Sequence, residues 1–166
     1  KDYFGDGSKW GITITYLEEE KPLGTAGSLS LIKTKFTESA LVINGDILTR
    51  VDYPQLLRYH ADTSSAVTMC INDYKSQVPF GVVKVKENNF IEIQEKPVVS
   101  YYINAGIYVM EPDVLDLIPK NSFLHMPQLL EKVVQNKLGV KVFPLHEYWL
   151  DVGLPETFAQ AKGDWE

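Results

Sequence analysis

Two aspartates stand where open α/β sheets keep their reactive groups. Asp46 closes the run Leu41-Val-Ile-Asn-Gly-Asp46, and Asp151 lies in Trp149-Leu-Asp-Val-Gly153. In each, a short apolar segment gives way to a carboxylate beside a glycine. That pattern predicts a strand end, and ligands of such sheets bind beyond the carboxyl ends of strands. Glycine permits close backbone approach, and carboxylate oxygens suit a hard cation. Converged, the pair would fit Mg²⁺, which takes few protein carboxylates and fills its shell from phosphate and water. Read singly, a carboxylate of this kind after a strand is more often just a turn.

Three further segments could touch a ligand. Leu23-Gly-Thr-Ala-Gly27 precedes a predicted helix and could offer backbone amides to a nucleotide, or be an ordinary capped turn. Glu18, Glu19 and Glu20 come just before it and read, at least in part, as a solvated acidic turn. Glu95-Lys96-Pro97 sets a carboxylate beside an ammonium at a strand end. Successive strand side chains point to opposite faces, so both can serve one ligand only if the chain bends there. His60, His125 and His146 have no ligand spacing, and no G-x-S-x-G occurs, so zinc and serine-hydrolase chemistry lack support.

The elements that must position these groups follow from periodicity. Ile12, Ile14 and Tyr16 alternate with threonines, a strand pattern. A helix is expected through Leu29, Leu31 and Ile32. Leu41-Val-Ile43 suits a strand buried on both faces. Asp52 and Pro54 open a helix, and Ala66–Ile71 is another buried strand. Val82–Val85 and Phe90–Ile93 form a hairpin, Asn104–Met110 a strand, and Pro112–Leu117 and Pro127–Gln135 helices begun by proline. Val140–Phe143 and Trp149–Val152 are short strands, and Pro155–Lys162 is a closing helix. Alternation of strands and helices, interrupted by a hairpin, predicts an α/β, Rossmann-like fold with a mixed, mainly parallel sheet flanked by helices, as one domain over 1–166.

Composition narrows the function classes. The 166 residues carry 16 basic and 22 acidic side chains, a net charge of −6, which argues against nucleic-acid binding. No apolar run is long enough for a bilayer span, and the N-terminus does not read as a signal peptide. The single cysteine, Cys70, sits in an apolar run and reads as a small buried hydrophobe. A cytoplasmic location fits, since nothing calls for an oxidising compartment.

The ordered set Phe4-Gly-Asp-Gly, Pro22-Leu-Gly-Thr-Ala-Gly27, Val42-Ile-Asn-Gly-Asp46, Phe80-Gly-Val82, Glu95-Lys-Pro97, Asn104-Ala-Gly-Ile-Tyr108 and Trp149-Leu-Asp-Val-Gly153 resembles the sugar-1-phosphate nucleotidyltransferase family. It is most similar to the mannose-1-phosphate guanylyltransferase-like branch. The resemblance runs from Tyr3 to about Ala161 and implies the nucleotide-diphospho-sugar transferase fold. The implied reaction is transfer from a nucleoside triphosphate to a hexose- or hexosamine-1-phosphate, giving a nucleotide sugar and pyrophosphate. A non-catalytic nucleotide-sugar binding or regulatory domain is the alternative. A glycosyltransferase is disfavoured, because no D-x-D motif occurs.

The same resemblance implies roles by position. Asp46 and Asp151 would hold Mg²⁺ as the catalytic cation, with Asp46 also on the nucleotide side and Lys96 on the sugar phosphate. Gly24 and Thr25 would lie against base and ribose, and Glu19 against the base edge. Gly81, Glu95 and Asn104 would meet sugar hydroxyls. A carboxylate only accepts hydrogen bonds, so Glu19 suits the two adjacent donors of guanine, and GTP is the expected donor substrate. The family's G-G-x-G-T-R-L…P-K-P loop belongs before Lys1, so the resemblance implies an N-terminally truncated fold without its first βα unit. This chain alone is therefore expected to be inactive, with an open slot beside Leu41–Ile43 inviting a homodimer or strand exchange. Leu154 stands where related sequences often carry arginine. Phe143–Asp151 resembles a subgroup whose full chains carry CBS domains upstream.

Overall fold

A computed structural model describes residues 1–164; Trp165 and Glu166, the last two of the expected 1–166 domain, lie outside the described residues. The chain divides into two compact units. The first comprises Lys1–Ala40, Ser64–Val67 and Met110–Val140, and the second Leu41–Thr63, Thr68–Val109 and Lys141–Glu166. No described helix is long and apolar enough to cross a membrane.

The first unit is built from short helices and loops. Helix α1 (Gly24–Gly27) runs into a 3-10 turn at Ser28–Leu31, so the helix expected there is a single tight turn and its continuation. Pro112–Leu117 is likewise 3-10 rather than α. Before α1, the alternating run Ile12–Tyr16 forms no strand. Its backbone folds back locally: Ile12 N–H donates to Gly7 O at 3.2 Å and Ile14 N–H to Asp6 O at 2.8 Å. A ladder needs a neighbouring strand, and alternation alone supplies none.

The second unit carries most of a mixed four-stranded sheet. Its strands are β1 (Ala40–Ile43), β3 (Val67–Gln77), β6 (Val98–Met110) and β7 (Val140–Pro144), in the order β1-β6-β3-β7. Ala105 to Met110 of β6 are all buried, as befits an inner strand. Among the described residues β1 is an edge strand, with Leu41 38% and Ile43 40% exposed, which departs from burial on both faces and agrees with the open slot expected beside it. An apolar run reports affinity for a core; the number of neighbours is set by the rest of the sheet.

Helix α2 (Tyr53–Thr63) starts as expected, with Asp52 Oδ1 accepting Gln55 N–H at 2.9 Å. It buries Leu56 and His60, one turn apart, and the His60 ring pairs with the buried Thr68 hydroxyl at 2.8 Å. Leu56 joins Cys70, Ile107, Val109, Phe143 and Leu145 in the core. Two antiparallel ribbons complete this unit's strands. One is the hairpin β4 (Val82–Lys86) and β5 (Asn89–Gln94), turning at Glu87 and Asn88, both left-handed. The other pairs β2 (Ile47–Thr49) with β8 (Trp149–Asp151). Helix α3 (Met126–Gln135) belongs to the first unit, and α4 (Pro155–Asp164) to the second.

Candidate active site

The ribbon of β2 and β8 brings the two aspartates together. Ile47 is registered opposite Asp151, and Val152 N–H donates to Asp46 O at 2.9 Å, so Asp46 and Asp151 leave neighbouring strand ends. Asp151 Oδ1 accepts Gly153 N–H at 2.8 Å. A Cβ placed on Gly153 would lie 2.9 Å from Asp151 Oδ1 and 3.5 Å from Asp46 Oδ2. Both carboxylates therefore close on the space that Gly153, lacking a side chain, leaves empty. Both are exposed to solvent. Two oxygen donors on one open spot fit a hard cation that completes its shell from substrate and solvent.

A second cluster surrounds the hairpin. Gly81 lies directly against Glu95: a Cβ there would come within 2.9 Å of Glu95 Oε2. Lys96 sits at φ 44°, a left-handed conformation uncommon for a side-chain-bearing residue. The chain thus bends after Glu95, and β5 ends at Gln94. That bend is what both side chains need to escape strict strand alternation. Gln77 Nε2 donates to Lys96 O at 3.3 Å and Val78 N–H to Pro97 O at 3.0 Å, which hold it in place.

Asn104 is fixed from both ends of its amide. Its Oδ1 accepts Gly106 N–H at 3.0 Å, and its Nδ2 donates to the Tyr108 hydroxyl at 2.6 Å. Burial pushes the Tyr108 phenol up, with the Asn104 hydrogen bond opposing. Gly106, at φ 70°, accepts Asn44 N–H at 2.9 Å, and a Cβ there would strike Asn44 Nδ2 at 2.8 Å. Asn104 is thereby tied through Gly106 to the turn that carries Asp46. Gly153, Asn44, Gly106 and Tyr108 had no role on sequence grounds; the Asp-x-Gly and Asn-x-Gly spacings are the signals that could have found them.

Glu19, Gly24 and Thr25 assemble within the first unit. Glu19 Oε2 accepts Leu23 N–H at 3.1 Å, bracing the turn before α1. Gly24 is at φ 78° and packs so tightly that a Cβ would lie 2.7 Å from Leu124 O. The N–H groups of Ala26 and Gly27 both donate to Leu124 O, and Thr25 Oγ1 accepts Met126 N–H at 2.8 Å. The turn thus spends those two amides and the Thr25 hydroxyl on docking the 124–126 segment. Glu18 pairs with Lys1. A cavity of about 460 Å³ in this unit is lined by Thr15, Tyr16, Leu17, Ile32, Lys33 and Thr34, none of them a predicted site residue.

Comparison with known proteins decides the family. The nucleotidyl transferase family pattern matches residues 1–166. The chain belongs to that family. Among curated nucleotidyl transferases, mannose-1-phosphate guanylyltransferase of Mycobacterium tuberculosis is 34% identical over 168 residues, covering 97% of this chain and 46% of that protein. The catalytic subunit beta of the Drosophila melanogaster mannose-1-phosphate guanylyltransferase is 33% identical over 160 residues, 92% of this chain and 43% of that protein. The chain thus spans less than half the length of these relatives, and the match supports the guanylyltransferase-like branch. A Bacillus anthracis structure assigned as a glucose-1-phosphate thymidylyltransferase, in complex with sucrose, superposes with a TM-score of 0.72 at 22% identity, covering 98% of this chain and 69% of that one. HddC from Yersinia pseudotuberculosis complexed with GMP-PN gives 0.66 at 20%, covering 99% and 74%. At such identities the likeness speaks for the nucleotidyl transferase fold alone.

Proposed function

We propose that this chain supplies the cation, sugar-phosphate and base contacts of a mannose-1-phosphate guanylyltransferase-type reaction. The observation that carries the reading is the convergence of Asp46 and Asp151 on the space beside Gly153. In the complete protein, a sugar-1-phosphate oxygen attacks the α-phosphorus of GTP, and pyrophosphate leaves with the electron pair of the broken P–O bond. Asp46 and Asp151 hold Mg²⁺, which when bound neutralises charge on the phosphates. The Lys96 ammonium, exposed at the bend, meets the sugar phosphate and cancels part of the repulsion between the two anionic substrates. Glu95 accepts hydrogen bonds from sugar hydroxyls, and Gly81 keeps the floor beneath it free of side chain. Asn104, held by Gly106 and Tyr108, presents its amide edge to the sugar without rotating. Glu19 accepts from the guanine edge, and Gly24 and Thr25 border the base and ribose. Such positioning and charge neutralisation are the main needs of this chemistry.

The test is pyrophosphate release by the complete protein with mannose-1-phosphate and GTP. Asp46→Asn and Asp151→Asn should each lower turnover at least a hundredfold while the far-UV spectrum stays unchanged, the scale of losing a charge aimed at the transition state. Turnover of either variant at the wild-type rate across a Mg²⁺ titration removes that residue from the site.

A further inference from the structure

Trp149 lies in the segment that carries Asp151, yet its indole reaches the Asn104 turn. Resting on the reading of Asn104 as a sugar contact, we propose that Trp149 is the positioning residue that holds the Asn104 amide, acting through the Ala105–Gly106 peptide. β6 does not run straight past this point. Gly106, at φ 70°, leaves the extended region in mid-strand, and Ala105 and Gly106 are both buried. Buried backbone groups need partners. Two side chains supply them for this peptide: Trp149 Nε1–H donates to Ala105 O at 2.8 Å, and Asn104 Oδ1 accepts Gly106 N–H at 3.0 Å. The C=O and N–H of a trans peptide point opposite ways, so the indole and the amide pin its plane from both sides.

The indole is the fixed end of this clamp. Trp149 is half-buried, registered opposite Thr49 in the β2–β8 ribbon, and packed against the core that holds Leu56, Ile107 and Phe143. Its ring nitrogen only donates, in a direction set by the ring, so the packed side chain holds Ala105 O in one place. Asn104 is the free end, since it is exposed. If the indole bond is lost, the peptide can turn, Gly106 N–H leaves Asn104 Oδ1, and the amide rotates. With the bond in place, and with Nδ2 donating to the Tyr108 hydroxyl at 2.6 Å, one N–H and one lone pair of the amide stay free for a sugar hydroxyl. Asp151 lies two residues along the same strand, on the face that Trp149 shares. The ribbon that places this carboxylate thereby anchors the sugar-binding amide as well.

Steady-state kinetics of the complete protein, with mannose-1-phosphate, GTP and Mg²⁺ varied in turn, provide the test. Trp149→Phe keeps an aromatic ring and removes the N–H. It should raise KM for mannose-1-phosphate about tenfold, the scale of one hydrogen bond, and leave KM for GTP and the Mg²⁺ requirement within about twofold. In an Asn104→Ala background the same change should add little, because one side chain acts through the other. An unmoved KM for mannose-1-phosphate in Trp149→Phe, an equal loss for all three ligands, or full additivity with Asn104→Ala overturns the assignment of Trp149 alone. If Asn104→Ala by itself leaves that KM unmoved, the sugar role of Asn104 falls, and the role of Trp149 falls with it. Hydrogen exchange of the Trp149 indole N–H, followed by NMR on the wild type, decides the matter even if Trp149→Phe folds poorly. Saturating mannose-1-phosphate should slow that exchange, since a ligand held by Asn104 steadies the clamp behind it. An exchange rate that the sugar phosphate leaves unchanged refutes the link.

Discussion

Gly153→Ala separates the proposed cation site from the fold. The backbone there is outside the left-handed region, so alanine is allowed by conformation. The new Cβ would sit 2.9 Å from Asp151 Oδ1, inside the 3.4–4 Å of ordinary contact. Asp151 is exposed and can rotate away, but doing so breaks its 2.8 Å bond from Gly153 N–H and carries Oδ1 off the space shared with Asp46. A hydrogen bond to a charged group contributes roughly 1.5–3 kcal/mol, and solvent exposure places this one near the lower figure. Folding should barely register the change, because glycine-to-alanine reduces unfolded-state entropy by about 0.4–1 kcal/mol in compensation. Cation binding should register it fully, since about 1.4 kcal/mol is tenfold in affinity. The assay is Mn²⁺ titration followed by electron paramagnetic resonance, with a thermal melt alongside. The expected result is a Kd about tenfold weaker at a Tm within a few degrees of wild type, and turnover of the complete protein recovering as Mg²⁺ is raised. Unchanged Mn²⁺ affinity in a folded variant would show that the carboxylates do not act together around Gly153.

Two further outcomes can be checked. Glu19→Gln keeps an oxygen for Leu23 N–H, so the turn should hold, yet replaces a carboxylate oxygen with a donor; in the complete protein the preference for GTP over UTP should fall about tenfold or more, read from kcat/KM with each nucleotide. Burial, with the Glu147 charge adding to it, pushes the Cys70 thiol up from its usual 9.0 to about 12. The folded state therefore holds its proton longer than the unfolded chain: stability is intact below pH 9 and declines as pH rises towards 12, by up to about 4 kcal/mol. Cys70→Val should flatten that alkaline decline in urea-unfolding midpoints, leaving the part due to Tyr53 and Tyr108, whose phenols burial also raises.

The sequence by itself determined most elements whose signals are local. Asp52 and Pro54 start α2, Pro127 lies in the first turn of α3, and Asn88 accepts the left-handed turn of the hairpin; in each, the physics lies within a few residues. The motifs also carried the family, because their order and spacing survive without coordinates. Pairing was decided by tertiary structure. The alternating Ile12–Tyr16 run found no neighbouring strand, whereas Ile47–Thr49, too short to be read as a strand, became one by meeting Trp149–Asp151 about a hundred residues away. The same pairing brings Asp46 and Asp151 to neighbouring strand ends, and only then do both carboxylates crowd Gly153. Side-chain chemistry fixes which faces avoid water, but how many neighbours a strand has is a property of the whole sheet.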